Sequence, residues 1–173
     1  LQVAIGLAMV IGDEHVRARP NSTIYDWAAR IFAALAFIGI IGVLTAHNPL
    51  VTGQPVGGLF LNHVLLGYGI PAVMLGILAR TIKTTRPKWY YFGAAITAIA
   101  MMLVYLTLEV RTLFQGPVLR GGFVSDAEDY TYSAVWLAFG VALLIAGILM
   151  KSQPARFASA AVVMLTIAKV FLH

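Results

Sequence analysis

Cysteine is absent from the 173-residue chain. That excludes disulfides, thiolate catalysis and cysteine-ligated metal sites. Acids are scarce, seven aspartates and glutamates in all, and charged residues make up 11% of the sequence. A water-exposed surface around a domain of this size needs far more charge. Several catalytic signatures are missing as well: there is no G-x-x-x-x-G-K-[ST], G-x-G-x-x-G, H-E-x-x-H or G-x-S-x-G. Phosphate-cradling loops, paired-histidine zinc sites and serine elbows therefore have no support. No cofactor and no metal are expected.

What the chain has is hydrocarbon. Sixty per cent of its residues are hydrophobic, and its mean hydropathy is +0.86. The expectation is an all-α integral membrane protein whose partner is the lipid bilayer. The formal net charge is +5. The basic residues lie in short connectors beside apolar runs, where they set topology and meet anionic headgroups. No aromatic–basic strand pattern points to nucleic acid.

Hydrophobic runs predict a single bundle with five full spans, at about residues 27–46, 62–79, 90–109, 132–150 and 155–172. The opening LQVAIGLAMVIG is 12 residues, about 18 Å of helix, and too short to cross alone. It reads as a partial helix. The chain ends inside another apolar run, AKVFLH, so a fragment of a larger polytopic protein is expected. Lysine and arginine placement orients it. With the 80–88 and 151–156 connectors on the cytoplasmic side, nine of twelve basic residues fall there. The 47–61 and 110–131 loops then face the periplasm or exterior of a bacterial inner membrane.

Within the second span, Gly67-Tyr68-Gly69-Ile70-Pro71 predicts a kink or break. Such a break either lines a transport site, as in discontinuous transporter helices, or only serves packing. Ser125-Asp126-Ala127-Glu128 matches the S-x-x-E capping box and predicts a helix start. Small residues recur at Ala29/Ala33, Ala94/Ala98 and Ala142/Ala146, with Gly140 and Gly147 seven apart. Such faces let membrane helices approach closely.

The stretch from Glu109 to Trp136 holds four of the seven acids. Glu109, Arg111, Asp126, Glu128 and Lys169 are the candidate polar site. Glu109 has two readings, a solvated interfacial charge beside Arg111 or a carboxylate facing a cation, substrate or proton inside the bundle. Lys169 lies about 20 Å along the last span from Arg156. It either snorkels to the interface or pairs with an acid. By depth its partner is Glu109, with Asp126 and Glu128 next. Helix capping and dipole complementarity account for Asp126, Glu128 and Asp129 without a ligand; two neighbouring carboxylates could instead bind a divalent cation or act as acid and base, which spacing alone does not support. Asn62 is a plausible cap for the second span, and lone His63 reads as an interfacial hydrogen-bonding residue.

Three stretches carry a family likeness: LEVRTLFQGP, SDAEDYTYSAVWLAFGVALLIAG and ARFASAAVVMLTIAKVFLH. With NHVLLGYGIPAVMLGILAR before them, they resemble the C-terminal part of a bacterial domain-of-unknown-function family of large, many-spanning predicted membrane proteins. The likeness covers roughly Pro49 to His173. It implies an inner-membrane location and no reaction. Glu109, Arg111, Asp126, Glu128, Tyr132, Trp136 and Lys169 match the family's recurring polar and aromatic positions. Two principal functions stay open. One is a transport or envelope-maturation module with a polar site at the outer face. The other is a non-catalytic scaffold or accessory subunit, packed against other membrane subunits or the missing parts of its own chain. A third is a membrane-embedded transferase acting on lipid-linked glycan, with Glu109 or Asp126 as base.

Overall fold

The structure is a computed structural model that describes residues 23–58, 62–84, 86–119 and 121–172. The partial helix expected over residues 1–12 lies outside the described residues. Helix α1 spans Thr23–Leu44, and α2 is a single turn, Pro49–Thr52. A π-helical turn, Leu65–Gly69, runs into α3, Ile70–Ile82. Helices α4 (Lys88–Gln115), α5 (Asp126–Leu149) and α6 (Gln153–Leu172) follow. Five segments are long and apolar enough to cross a membrane: Ala33–Thr52, Leu65–Ile82, Lys88–Gln115, Asp126–Leu149 and Gln153–Leu172. Among the described residues the element order contains no strand, only an isolated antiparallel bridge between Gly57 and Asn62.

The helices have a polar end and a basic end. The polar end holds the close of α1, α4 and α6, the start of α5 and the loops beside them. The basic end holds the α3–α4 connector and the α5–α6 turn. Helices α3 and α4 pack as one pair, α5 and α6 as another, and α4 also meets α5 and α6. Val64, Tyr68, Ile82, Met101 and Leu108 fill the core between the π turn, α3 and α4. Outward positions are apolar: Phe37, Ile38, Val73, Ile145, Leu149 and Phe171 are all exposed. Lipid-facing surface has this composition, and packing of close-set helices holds the bundle together.

Proline at position 71 does not break the helix. The backbone stays right-handed, with Val64 at φ −68, ψ −41 and Ile70 at φ −60, ψ −49. The Ile70 N–H donates to the Leu65 carbonyl, five residues back. A widened turn of this kind shifts the ladder by one residue. It accommodates the pyrrolidine ring, which in a regular helix crowds the carbonyl of Gly67. Tyr68 then points inward, and its hydroxyl donates to the Val43 carbonyl at 2.9 Å. The turn is thus tied to the end of α1.

The α5–α6 hairpin shows why glycine recurs on α5. Ser159 Oγ donates to the Gly140 carbonyl at 2.7 Å. A Cβ on Gly147 would lie 3.0 Å from the Arg156 backbone nitrogen and 2.7 Å from its Cγ. Only a residue without a side chain lets the two backbones come that near. Lys151 takes a positive φ of 48° to close the turn.

Candidate functional site

The polar end is built from three sets of contacts, each linking a charged side chain to a neighbouring element. In the first, Asn62 starts the second spanning segment. Its Oδ1 accepts the Leu65 N–H at 2.8 Å, the capping geometry its position suggests. Its Nδ2 donates to Glu109 Oε1 at 2.7 Å. Asn62 is 6% exposed and Glu109 7%. One asparagine therefore caps its own helix and binds the carboxylate of α4.

The second set surrounds Glu128, which is 0% exposed. Ser125 caps α5 by accepting the Glu128 N–H at 3.2 Å. In a full capping box the glutamate side chain turns back to the cap's own N–H. Here it turns inward. Tyr132 OH donates to Oε1 at 2.7 Å, and Gln115 Nε2 donates to Oε2 at 2.7 Å. Arg111 Nη1 lies 3.6 Å from Oε1. The remaining donors of Arg111 stitch the loop after α4. Nε donates to the Leu119 carbonyl at 3.0 Å and Nη2 to that of Gly121 at 2.8 Å. Gln115 Nε2 also reaches the Phe123 carbonyl at 2.9 Å. This loop turns on Gly116, Gly121 and Gly122, all at positive φ, where glycine carries no steric penalty. Its Pro117 carbonyl accepts the Val56 N–H at 2.8 Å, which joins it to the 53–58 loop.

The third set places Lys169 against α5. Its Nζ donates to Asp129 Oδ2 at 2.7 Å, to the Asp129 carbonyl at 3.1 Å and to Ser133 Oγ at 3.1 Å. The partner is an acid, but not the one depth alone selects: the amine bonds to Asp129 and not to Glu109, Asp126 or Glu128. The reason is angular. Asp129 and Ser133 are one turn apart on the face of α5 that meets α6, and consecutive residues such as Glu128 and Asp129 point about 100° apart. Lower in the bundle, Trp136 Nε1 donates to Thr107 Oγ1 at 3.0 Å and links α5 to α4.

Of the five candidate residues, Arg111 and Glu128 are brought together. Glu109 and Lys169 belong to two other sets, and Asp126 is exposed at the start of α5. Gln115 carries no partner signal in the sequence, Asp129 reads there as a capping and dipole residue or as one of two carboxylates for a cation or acid–base pair, and Asn62 reads as a cap. The four-residue spacings of Glu128/Tyr132 and Asp129/Ser133 were a usable signal, since such residues share a helix face. The link from Asn62 to Glu109 spans 47 residues and has no local signal. Among the described residues, no group of three or more histidine, cysteine, aspartate or glutamate side chains is arranged to hold a metal ion.

This end also holds a cavity of about 580 Å³ under the loop that follows α1, lined by His47, Thr52, Gln54, His63 and Tyr68 among others. It lies beside the Asn62 contact, while Arg111, Glu128 and Lys169 are not part of its lining.

A family model described as "Predicted membrane protein (DUF2339)" matches residues 1–173. The chain belongs to the DUF2339 family. The match includes the part before Pro49, where the residues carried no specific likeness of their own. DUF2339 membership and the five apolar helices together make this a multi-pass membrane protein. Comparison with curated proteins and with solved structures returned no match.

Proposed function

We propose that this DUF2339 protein is a non-catalytic membrane scaffold whose polar end is closed by interhelical latches. It sits in a bacterial inner membrane, with the basic end toward the cytoplasm. Glu128 carries this reading. It is a fully buried carboxylate with a hydrogen-bond donor on each oxygen, Tyr132 on Oε1 and Gln115 on Oε2, and the Arg111 guanidinium 3.6 Å from Oε1 as its ion-pair partner. A group held in this way orders α4, α5 and the intervening loop. A carboxylate that receives a substrate needs an open approach, and among the described residues Glu128 is fully covered.

Complementation of a deletion strain, read alongside membrane abundance and thermal stability of the full-length protein, provides the test. Glu128→Gln keeps the shape and removes the charge. For a latch, loss of complementation tracks loss of abundance or melting temperature. A Glu128→Gln protein that is as abundant and stable as wild type, yet fails to complement, overturns the reading.

The cavity under the loop after α1 supports a second reading, a transport or envelope-maturation module that binds a polar ligand there. Two histidines, a threonine and a glutamine supply its polar edge. On this reading His47→Ala with His63→Ala abolishes complementation without changing abundance or melting temperature. Retention of full complementation rejects it.

A further inference from the structure

The basic end holds a different kind of space. Helices α3 and α5 both pack on α4, and neither packs on the other to a comparable extent. The gap between them has a floor of small side chains, Ala95 and Ala98 of α4, with Gly76 and Ala79 on one wall and Ala146 on the other. An open cleft of about 500 Å³ results, within the usual size range of ligand pockets.

Leu143 and Ile99 keep this cleft apolar along its length, while Arg80 and Lys83 stand in its lining at the basic end. Both are exposed, and among the described residues neither forms an ion pair. No aspartate or glutamate occurs between residues 27 and 108 or after 129. Among the described residues, the ends of α3, α4, α5 and α6 that border the cleft therefore supply no acid to neutralise the two cations. Tyr91 OH and Ser152 Oγ, 3.1 Å apart, add two hydroxyls to the same lining. An apolar trough ending in two cations and two hydroxyls matches an amphiphile with a long acyl chain and an anionic phosphodiester. Basic pockets between spanning helices recognise anionic headgroups by this combination. A zwitterionic lipid brings its own cation to the same place and gains less.

We propose that this cleft binds one anionic phospholipid, its acyl chain on the alanine floor between α3 and α5 and its phosphate against Arg80 and Lys83.

Native mass spectrometry of the full-length protein in detergent tests this, using dioleoylphosphatidylglycerol and dioleoylphosphatidylcholine as probes. One phosphatidylglycerol is retained in preference to phosphatidylcholine by roughly 30-fold, given two basic residues near the headgroup. Arg80→Gln with Lys83→Gln reduces that preference to a few-fold, and Lys151→Gln, outside the cleft, leaves it intact. Gly76→Phe lowers retention of both lipids by filling the trough. A Cβ at Gly76 meets nothing within 4 Å, so the new side chain starts without a clash, and an unchanged melting temperature of the variant checks that the fold is kept. Three results overturn the proposal: equal retention of the two lipids, a preference that survives the double substitution, or retention untouched by Gly76→Phe. Displacement of phosphatidylglycerol by glycerol phosphate alone also overturns it, because the site would then serve a free phosphate compound.

Discussion

A lysine amine has three protons to donate, and Lys169 gives one each to Asp129 Oδ2, the Asp129 carbonyl and Ser133 Oγ. Its side chain is 20% exposed and that of Asp129 24%, so the pair sits at the rim of the bundle. Removing one partner leaves the other charge without compensation, whereas removing both leaves none. Lys169→Met alone is therefore expected to destabilise the protein by about 2 kcal/mol, with the Asp129→Leu, Lys169→Met double variant recovering much of that loss. A double-mutant cycle in detergent, read by thermal unfolding, should give a coupling energy of about 1–3 kcal/mol. A coupling near zero would show that the contact contributes nothing to helix association. Charge in an apolar setting made Arg111, Glu128 and Lys169 stand out in the bare sequence, because such residues are costly unless paired. Their partners did not stand out. Depth along a helix is a single coordinate, and it ranks Glu109 ahead of Asp129 for Lys169. The face on which each residue lies makes the choice, and that depends on how α5 and α6 are rotated against each other.

At the scale of elements, α5 and α6 depend on two glycines that differ in what surrounds them. A Cβ at Gly140 would meet Val163 Cγ2 at 2.9 Å, while at Gly147 it would meet both the Arg156 backbone nitrogen at 3.0 Å and Cγ at 2.7 Å. A side-chain methyl yields by a small shift, but a backbone atom yields only if the helices separate. Gly147→Ala is expected to cost about 2–3 kcal/mol, and Gly140→Ala about half that, in the range measured for overpacked cores. Thermal unfolding of the two variants checks the order, and an equal or reversed order would mean that the hairpin does not rest on Gly147. Helix boundaries were legible because their signals are local: Ser125 caps α5 as S-x-x-E predicts, and Asn62 caps the second spanning segment. The π turn before Pro71 was legible only as a disturbance. Proline announces that a regular ladder cannot continue. Whether the chain kinks, breaks or widens depends on what the turn packs against, here Val43 through Tyr68 and Tyr105 beside Gly69.

At the scale of the whole molecule, the basic residues divide into two kinds. Arg80, Lys83, Lys88, Lys151 and Arg156 all lie at one end, in or beside short connectors. At the other end, Arg111 and Lys169 are engaged with protein oxygens. They therefore act as internal ties and not as loop charge. The lysine and arginine asymmetry that orients a membrane protein counts charge in short loops near span ends. Once the engaged pair is set aside, it is stronger than the bare count of nine in twelve. The proposal that the basic end faces the cytoplasm rests on this asymmetry. A chain with no cysteine allows a direct check with single introduced thiols. Phe123 is fully exposed in the loop between α4 and α5, and Gln153 is exposed at the start of α6. In intact cells whose outer envelope has been made permeable, a membrane-impermeant maleimide should label Phe123→Cys to near completion and Gln153→Cys several-fold less. After lysis both should label equally. The opposite pattern in intact cells would invert the topology and move the lipid cleft and the latched polar end to the other faces of the membrane.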